Sequence, residues 1–316
     1  MAKEIKHRSN GEILRISPVF REKPWGGKRL NTVFGYTIPS EYTGECWAIS
    51  GHPDGDCPVA DAGRTLGQIW KEQPELFGNL PGDIFPLIIK IIDARENLSI
   101  QVHPDDEYAG IHEKGSPGKT ECWYVLDCER DAEVIIGHNA SSREEMKRMV
   151  EEGNWSELLR EIPIRKGDFF QINPGCLHAI KAGTLILETQ QSSDVTYRFY
   201  DYGRQVDGIP RELHIPQALA VTAAPFAAEK TQQKIWQQEG ARISHLVTCR
   251  YYSVYRVELQ GETKLNFEYP FVCVSILSGC GTFNGMPVKR GDHLVLTANF
   301  GELCVSGALE FIYSHV

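Results

Sequence analysis

The sequence predicts a mainly β protein with two barrel-like halves and a few peripheral helices, and three observations carry that prediction. Gly and Pro recur at short intervals, and between them lie brief runs of β-branched and aromatic residues. Many short strands separated by turn residues form a β-sandwich or barrel. The run 98–104 alternates with a strict period of two, the signature of a strand with two different faces. Finally, Arg165-Lys166-Gly167-Asp168 before Phe169–Ile172 is echoed by Lys289-Arg290-Gly291-Asp292 before His293–Leu296.

In chain order, residues 65–77 place Leu66, Ile69, Trp70 and Leu76 at helical spacing. The apolar run 85–92 reads as a strand. In 98–104, Leu98, Ile100 and Val102 share one face, and Ser99, Gln101 and His103 share the other. A hydroxyl, an amide and an imidazole in register are an uncommon set for a surface strand. Residues 119–126 form another strand with Lys119 and Glu121 on one face, and 132–136 a further one. Residues 141–159 open on a Ser142-Arg143-Glu144-Glu145 capping box and set Met146, Met149, Val150, Leu158 and Leu159 at helical intervals. Asn173-Pro174-Gly175-Cys176-Leu177-His178 is a tight turn entering a strand, followed by strands at 184–189 and 196–200. Further strands fall at 252–259 and 271–277, and Ser278-Gly279-Cys280-Gly281 is a Gly-rich turn.

The two Gly-Asp turns and their following strands resemble the repeated half-motifs of cupins, which are small jelly-roll barrels. This implies a metal-binding cupin domain with helical insertions over 1–234 and a cupin-like domain over 235–316. The second copy has Asn299, Phe300 and Gly301 after its strand and no counterpart to His178, so it is expected to be metal-free and to serve packing.

Composition narrows the class. The chain has 316 residues, 41% hydrophobic and 24% charged, ordinary for a soluble globular protein. No apolar run reaches membrane-spanning length, and the basic start has no apolar stretch after it, so no secretory signal is expected. Nine cysteines without a Cys-x-x-Cys pair, several inside apolar strands, argue against a disulfide framework and for a reducing cytoplasm. A net charge of -9 argues against nucleic acid as a partner. An anionic ligand would need a local cationic pocket, for which Lys119, Arg198 and Arg204 are the candidates.

His103, His178, Glu121 and Gln101 form a mixed nitrogen and oxygen set that suits zinc with one coordination position open. Taken singly, each has a plainer reading as a hydrogen-bonded or solvated residue. Beyond this, Ser99-Ile100-Gln101-Val102-His103-Pro104, Gly118-Lys119-Thr120-Glu121-Cys122-Trp123-Tyr124 and Pro174-Gly175-Cys176-Leu177-His178-Ala179 resemble motifs of type I phosphomannose isomerases in their short bacterial form. Pro24-Trp25-Gly26-Gly27 and Asp194-Val195-Thr196-Tyr197-Arg198 do so too. The resemblance implies one zinc per chain held by Gln101, His103, Glu121 and His178, with Lys119 and Arg198 in the reacting pocket. It implies interconversion of mannose 6-phosphate and fructose 6-phosphate by proton transfer through an enediol. Longer members carry His-Lys-Pro-Glu where this chain has Gly118-Lys119-Thr120-Glu121, so a role for that extra histidine does not transfer.

Within that reading Lys119 is the candidate base, its pKa lowered by cationic neighbours. Arg198 is expected to stabilise the enediolate, with Asp194 orienting it, and Ser99 to contact the phosphate. Trp25 reads as a buried structural residue in a Gly-rich turn. Two rivals keep part of the site: an iron-dependent cupin oxygenase and a non-enzymatic sugar-binding cupin. Lys119 together with Arg198, a pocket for an anion, weighs against the oxygenase.

Overall fold

The computed structural model describes residues 11–206, 208–228 and 232–316. By its contacts the chain forms two compact units. One comprises the described residues of Met1–Val19, Ala48–Leu87 and Thr231–Val316; the other comprises those of Phe20–Trp47 and Ile88–Lys230. No helix among the described residues is long and apolar enough to cross a membrane.

The unit around Ile88–Lys230 is built on two antiparallel sheets. One runs Phe169–Ile172, Glu121–Cys128, Thr184–Gln191, Leu87–Ala94, Val19–Gly27 and Thr43–Ser50. The other runs Leu159–Pro163, Glu133–His138, His178–Ile180, Ile100–Val102 and Tyr197–Tyr200. Trp123, Ile92 and Ile186 from the first meet Val134, Ile136 and Ile180 from the second in one apolar cluster. The cluster holds the sheets face to face, because each strand turns its alternate apolar residues inward. Each sheet runs from one edge strand to another without closing. The expected barrels are therefore cupin-like sandwiches rather than closed rings.

In the other unit one large sheet is assembled in the order Lys234–Gln238, Ala241–Thr248, Ser253–Phe267, Gly301–His315, Val272–Phe283, His293–Leu296, Ile13–Ile16, Pro58–Val59 and Arg64–Thr65. Its three longest strands carry Gly261, Gly307 and Gly281 in direct register. A Cβ on Gly307 would stand 2.5 Å from the carbonyl oxygen of Cys280. Only glycine allows the backbones to approach this closely where the long strands meet.

The repeated Gly-Asp turn has the same hydrogen bonds in both places. Gly167 N donates to Val125 O and Val125 N to Asp168 O, at 2.8 and 2.9 Å. Gly291 N donates to Ile276 O and Ile276 N to Asp292 O, at 2.9 and 3.0 Å. Asp168 and Asp292 each accept from the backbone N–H three residues earlier, at 2.9 and 3.0 Å. Both glycines have positive φ, near 90° and 86°, which a side-chain-bearing residue resists.

Both expected helices form, but shorter. Thr65 caps Leu66–Glu72 in a reciprocal box with Gln68. Pro74 has no N–H for the next turn, so the chain continues as the 3₁₀ turn Pro74–Phe77. By its contacts this helix belongs to the unit with the C-terminal strands. Ser142 caps Arg143–Glu152 through the Glu145 N–H. Gly153, with φ of 70°, ends that helix before the short Trp155–Leu158 begins, so one expected helix is two.

The segment Ala48–Leu87 is locked to the C-terminal strands by an aromatic cluster. Phe271, fully buried, lies 4.7 Å from Phe85 and 6.2 Å from Phe77 between ring centroids. Phe271→Ala should lower the stability of this unit by about 3–5 kcal/mol, the range for truncating a buried Phe. Denaturant unfolding followed by Trp70 fluorescence measures it, and a cost below about 1 kcal/mol would show the cluster to be dispensable.

Candidate active site

Strand pairing brings the site residues together. Gln101 on Ile100–Val102 lies between His178 on one neighbouring strand and Arg198 on the other, directly paired with both. His103 follows two residues later, and its carbonyl accepts from Gly175 N at 3.0 Å. Lys119 N donates to Pro104 O at 3.0 Å, so the motifs around His103, Lys119 and His178 are stitched by backbone bonds. Glu121, which opens the strand of the facing sheet, completes the group.

His103, Glu121 and His178 are fully buried, and their ligating atoms lie within 4.8 Å of one another. His103 Nε2 is 3.3 Å from Glu121 Oε2, and His178 Nε2 is 3.5 Å from Glu121 Oε1. Each imidazole has its Nδ1 2.8 Å from a backbone carbonyl, of Val195 for His103 and of Cys176 for His178. An Nδ1–H donated to a carbonyl leaves Nε2 as a lone pair, the arrangement that prepares histidine to bind a metal. Gln101 places its amide 3.3 Å from His178 Nε2, and its other end bonds Ser99 Oγ at 3.1 Å. Amide rotation would turn its oxygen to the same centre.

This donor set fits a metal cation. Two imidazole lone pairs and a carboxylate converge in a buried space. The cation it meets is the Lys119 ammonium, 2.7 Å from Glu121 Oε2 and 3.2 Å from His103 Nε2.

A second carboxylate, absent from the sequence-based set, stands beside this centre. Glu188 on Thr184–Gln191 is 3% exposed, and its Oε2 accepts from Trp123 Nε1 at 3.1 Å. Its Oε1 is 3.8 Å from Lys90 Nζ, itself buried at 3%. Burial, together with the charge of Glu121, pushes the Glu188 carboxyl up to about 7. Burial would raise Glu121 as well, but Lys119 and the histidines hold it well below the carboxylate range. Lys119 also departs from expectation. Burial favours its neutral form, yet the charges of Glu121 and Glu188 prevail and raise its pKa. It is a fixed cation, not an amine with a lowered pKa.

A pocket opens beside this candidate ligand set, walled by Ser99, Gln101, Lys119, Glu188, Asp194 and Arg198. Arg198 Nε is buried without a hydrogen-bond partner. Asp194 is half exposed at 52% and lies 3.9 Å from Lys90 Nζ. Arg204 is outside the pocket lining. It bonds Asp201 at 3.0 Å and the Asn97 carbonyl at 2.6 Å, while Arg211, which the sequence reading passed over, lines the pocket. Trp25 is 3% exposed and forms part of the wall. Lys90 and Glu188 each interrupt a run of apolar residues, after Leu87–Ile89 and Leu185–Leu187. That interruption is the signal by which both were detectable.

The chain matches two descriptions of known families. Residues 13–134 match the type I phosphomannose isomerase catalytic domain, and residues 242–316 the mannose-6-phosphate isomerase cupin domain. The chain is 46% identical to the mannose-6-phosphate isomerase ManA of Bacillus subtilis over 313 residues, 96% of this chain and 99% of the relative. It is 44% identical to a mannose-6-phosphate isomerase of Streptococcus mutans over 312 residues, 96% and 98% of the two chains. Its fold is similar to the crystal structure of the Bacillus subtilis mannose 6-phosphate isomerase, with TM-score 0.94, 44% identity, and 96% and 99% coverage.

The buried histidines make stability depend on pH. Burial first, then the Lys119 charge, lowers His103 from 6.5 to about 3. Burial alone lowers His293, in the other unit, from 6.5 to about 3. The unfolded chain takes up these protons near pH 6.5, and the native chain does so only near pH 3. Across that window the unfolded state binds more protons, so stability falls as pH drops. Thermal midpoints of chelator-treated protein should decline steadily from pH 6.5 toward 4. A midpoint that rises over this range would overturn the assignment.

Proposed function

Because the chain belongs to the type I phosphomannose isomerase family, we propose that it interconverts mannose 6-phosphate and fructose 6-phosphate with one zinc ion per chain. His103, Glu121 and His178 would hold the zinc, with Gln101 as fourth ligand. The observation that carries the mechanism is a second buried carboxyl, Glu188, that lines the pocket and shares Trp123 Nε1 with Glu121 at 3.1 Å each, its pKa driven up while that of Glu121 is driven down. Paired carboxyls with separated pKa values mark a division of acid–base labour.

The reaction moves a proton between C1 and C2 through an enediol. It needs a base, an electrophile for the developing oxyanion and a grip on an anionic substrate. Zinc, when bound, supplies Lewis acidity toward the substrate oxygens. Glu188 is the group suited to take the proton and return it, since it lines the pocket and burial beside Glu121 raises its carboxyl toward neutral pH. Lys119 and Arg198 are cations projected from strands, and both meet charge that grows as the enediolate forms. Ser99 and Asp194 complete the substrate-binding wall, Ser99 by holding the Gln101 amide and Asp194 at the half-exposed side. A lysine kept charged by Glu121 serves better as an electrostatic partner than as the base. The relatives named above are mannose-6-phosphate isomerases, which favours this reading over the oxygenase and sugar-binding ones.

We assign the chemistry to the domain proposed over 1–234 and a metal-free role to 235–316. None of the nine cysteines is in a disulfide, which favours a reducing cytoplasm.

Metal analysis of purified protein with an isomerase assay on both hexose phosphates tests this reading. About one zinc per chain and turnover are expected, and His178→Ala should lose both. Full metal occupancy in His178→Ala would sink the ligand set. Glu188→Gln should keep its zinc and lose about 10²-fold or more in kcat, the scale of general acid–base catalysis. It should also abolish exchange of the substrate C2 proton with solvent. If exchange survives in Glu188→Gln and vanishes in Lys119→Ala, the base is Lys119. Arg198→Ala should keep zinc and lower kcat by about 10²-fold; a change confined to KM would make Arg198 a substrate grip alone.

A further inference from the structure

Trp123 sits where the metal-ligand set and the proposed base meet. It follows Glu121 by two residues, so both side chains rise from the same face of Glu121–Cys128. On the adjacent strand its direct cross-strand partner is Glu188. The indole Nε1–H lies 3.1 Å from Glu121 Oε1 and 3.1 Å from Glu188 Oε2. The ring meets the His178 imidazole edge to face, with centroids 5.5 Å apart at 74°. Trp123 is 1% exposed and packs in the apolar cluster between the sheets.

The plain reading is a large core residue. Packing, however, asks nothing of the N–H, and a buried indole needs only one acceptor. Here both acceptors are carboxylates of the site, and bonds to charged acceptors are the stronger kind. We propose that Trp123 is a positioning residue whose single N–H, shared between Glu121 and Glu188, commits Glu121 to the metal through Oε2 and aims Glu188 into the pocket. The bond occupies Oε1 of Glu121 and leaves Oε2 turned to the Lys119 ammonium at 2.7 Å and to His103 Nε2 at 3.3 Å. It also fixes the separation between the ligand carboxylate and the base. The inference rests on the function proposed above for Glu188, but its metal-binding half stands apart from that reading.

The test replaces Trp123 with β-(3-benzothienyl)alanine, which keeps the bicyclic shape and puts sulfur in place of the N–H. Trp123→Phe serves as a second variant, and circular dichroism confirms folding. Zinc affinity of the metal-free proteins is measured by competition with a chromophoric chelator, and kcat and KM on mannose 6-phosphate in parallel. Loss of a bond to a metal ligand typically weakens metal binding by about 10- to 100-fold. The benzothienyl protein should therefore bind zinc at least about tenfold more weakly. With zinc saturating, kcat should fall by about tenfold or more while KM changes little. Wild-type zinc affinity and wild-type kcat in that protein would overturn the proposal and leave Trp123 as packing alone. Weakened zinc binding with normal kcat overturns the Glu188 half, and the reverse overturns the Glu121 half. Should the unaltered protein bind zinc yet not turn over either hexose phosphate, the functional reading fails while the zinc comparison still decides the Glu121 half.

Discussion

The carboxylate of Glu121 is fully buried, and a buried charge costs several kcal/mol unless it is paired and hydrogen-bonded. Two neighbours answer that cost directly: Lys119 pairs with Oε2 and Trp123 donates to Oε1. The two imidazole Nε2 lone pairs converge on the same carboxylate, 3.3 and 3.5 Å away, and call for a cation. Those partners come from both sheets of one sandwich, so satisfying a single anion draws the sheets' polar residues to one point. A metal cation at that point would take over much of the compensation that Lys119 now supplies, and the ammonium would be released toward the pocket. Lys119 is thus placed to be either a partner of the apo carboxylate or an electrostatic partner of substrate.

The scaffold suits this demand. Gln101, His103, His178 and Arg198 all stand on or directly beside strands paired in fixed register, and strands hold side chains more precisely than loops do. The rear nitrogens of both histidines are tied to backbone carbonyls. Ring orientation is therefore set by main-chain geometry that packing already determines, and little ordering remains to be done when a ligand arrives.

Much of this was legible in the sequence. Period-two alternation placed Ser99, Gln101 and His103 on one face, and the structure turns them to the site. The capping residues Thr65 and Ser142 begin helices as expected, and the Gly-Asp echo is a true structural repeat. What was not legible depends on neighbours distant in sequence. Lys119 is raised chiefly by Glu121 two residues on, but Glu188, on a strand 69 residues further along the chain, adds to it. Arg204 looked free to hold an anion, but Asp201 and the Asn97 carbonyl occupy it, and Arg211 faces the pocket instead. Lys90 and Glu188 were visible as charges closing apolar runs within their strands. Their meaning required the pairing that sets Glu188 opposite Trp123.

The repeat also shows why one turn motif serves two different interiors. The shared hydrogen bonds make Val125 equivalent to Ile276, because each exchanges bonds with its own Gly-Asp turn. Four residues back from each stand Glu121 and Val272, and each pairs with the last residue of the strand after the turn, Ile172 and Leu296. Trp123 likewise corresponds to Val274. In the second repeat the ligand carboxylate is thus a valine and its supporting indole is another, both inside an apolar cluster with Leu294 and Leu296. A metal brought to that position would meet methyl groups in a space that can solvate no charge. The backbone is common to both repeats, and what separates a candidate metal centre from a packed core is the polarity of a few inward positions.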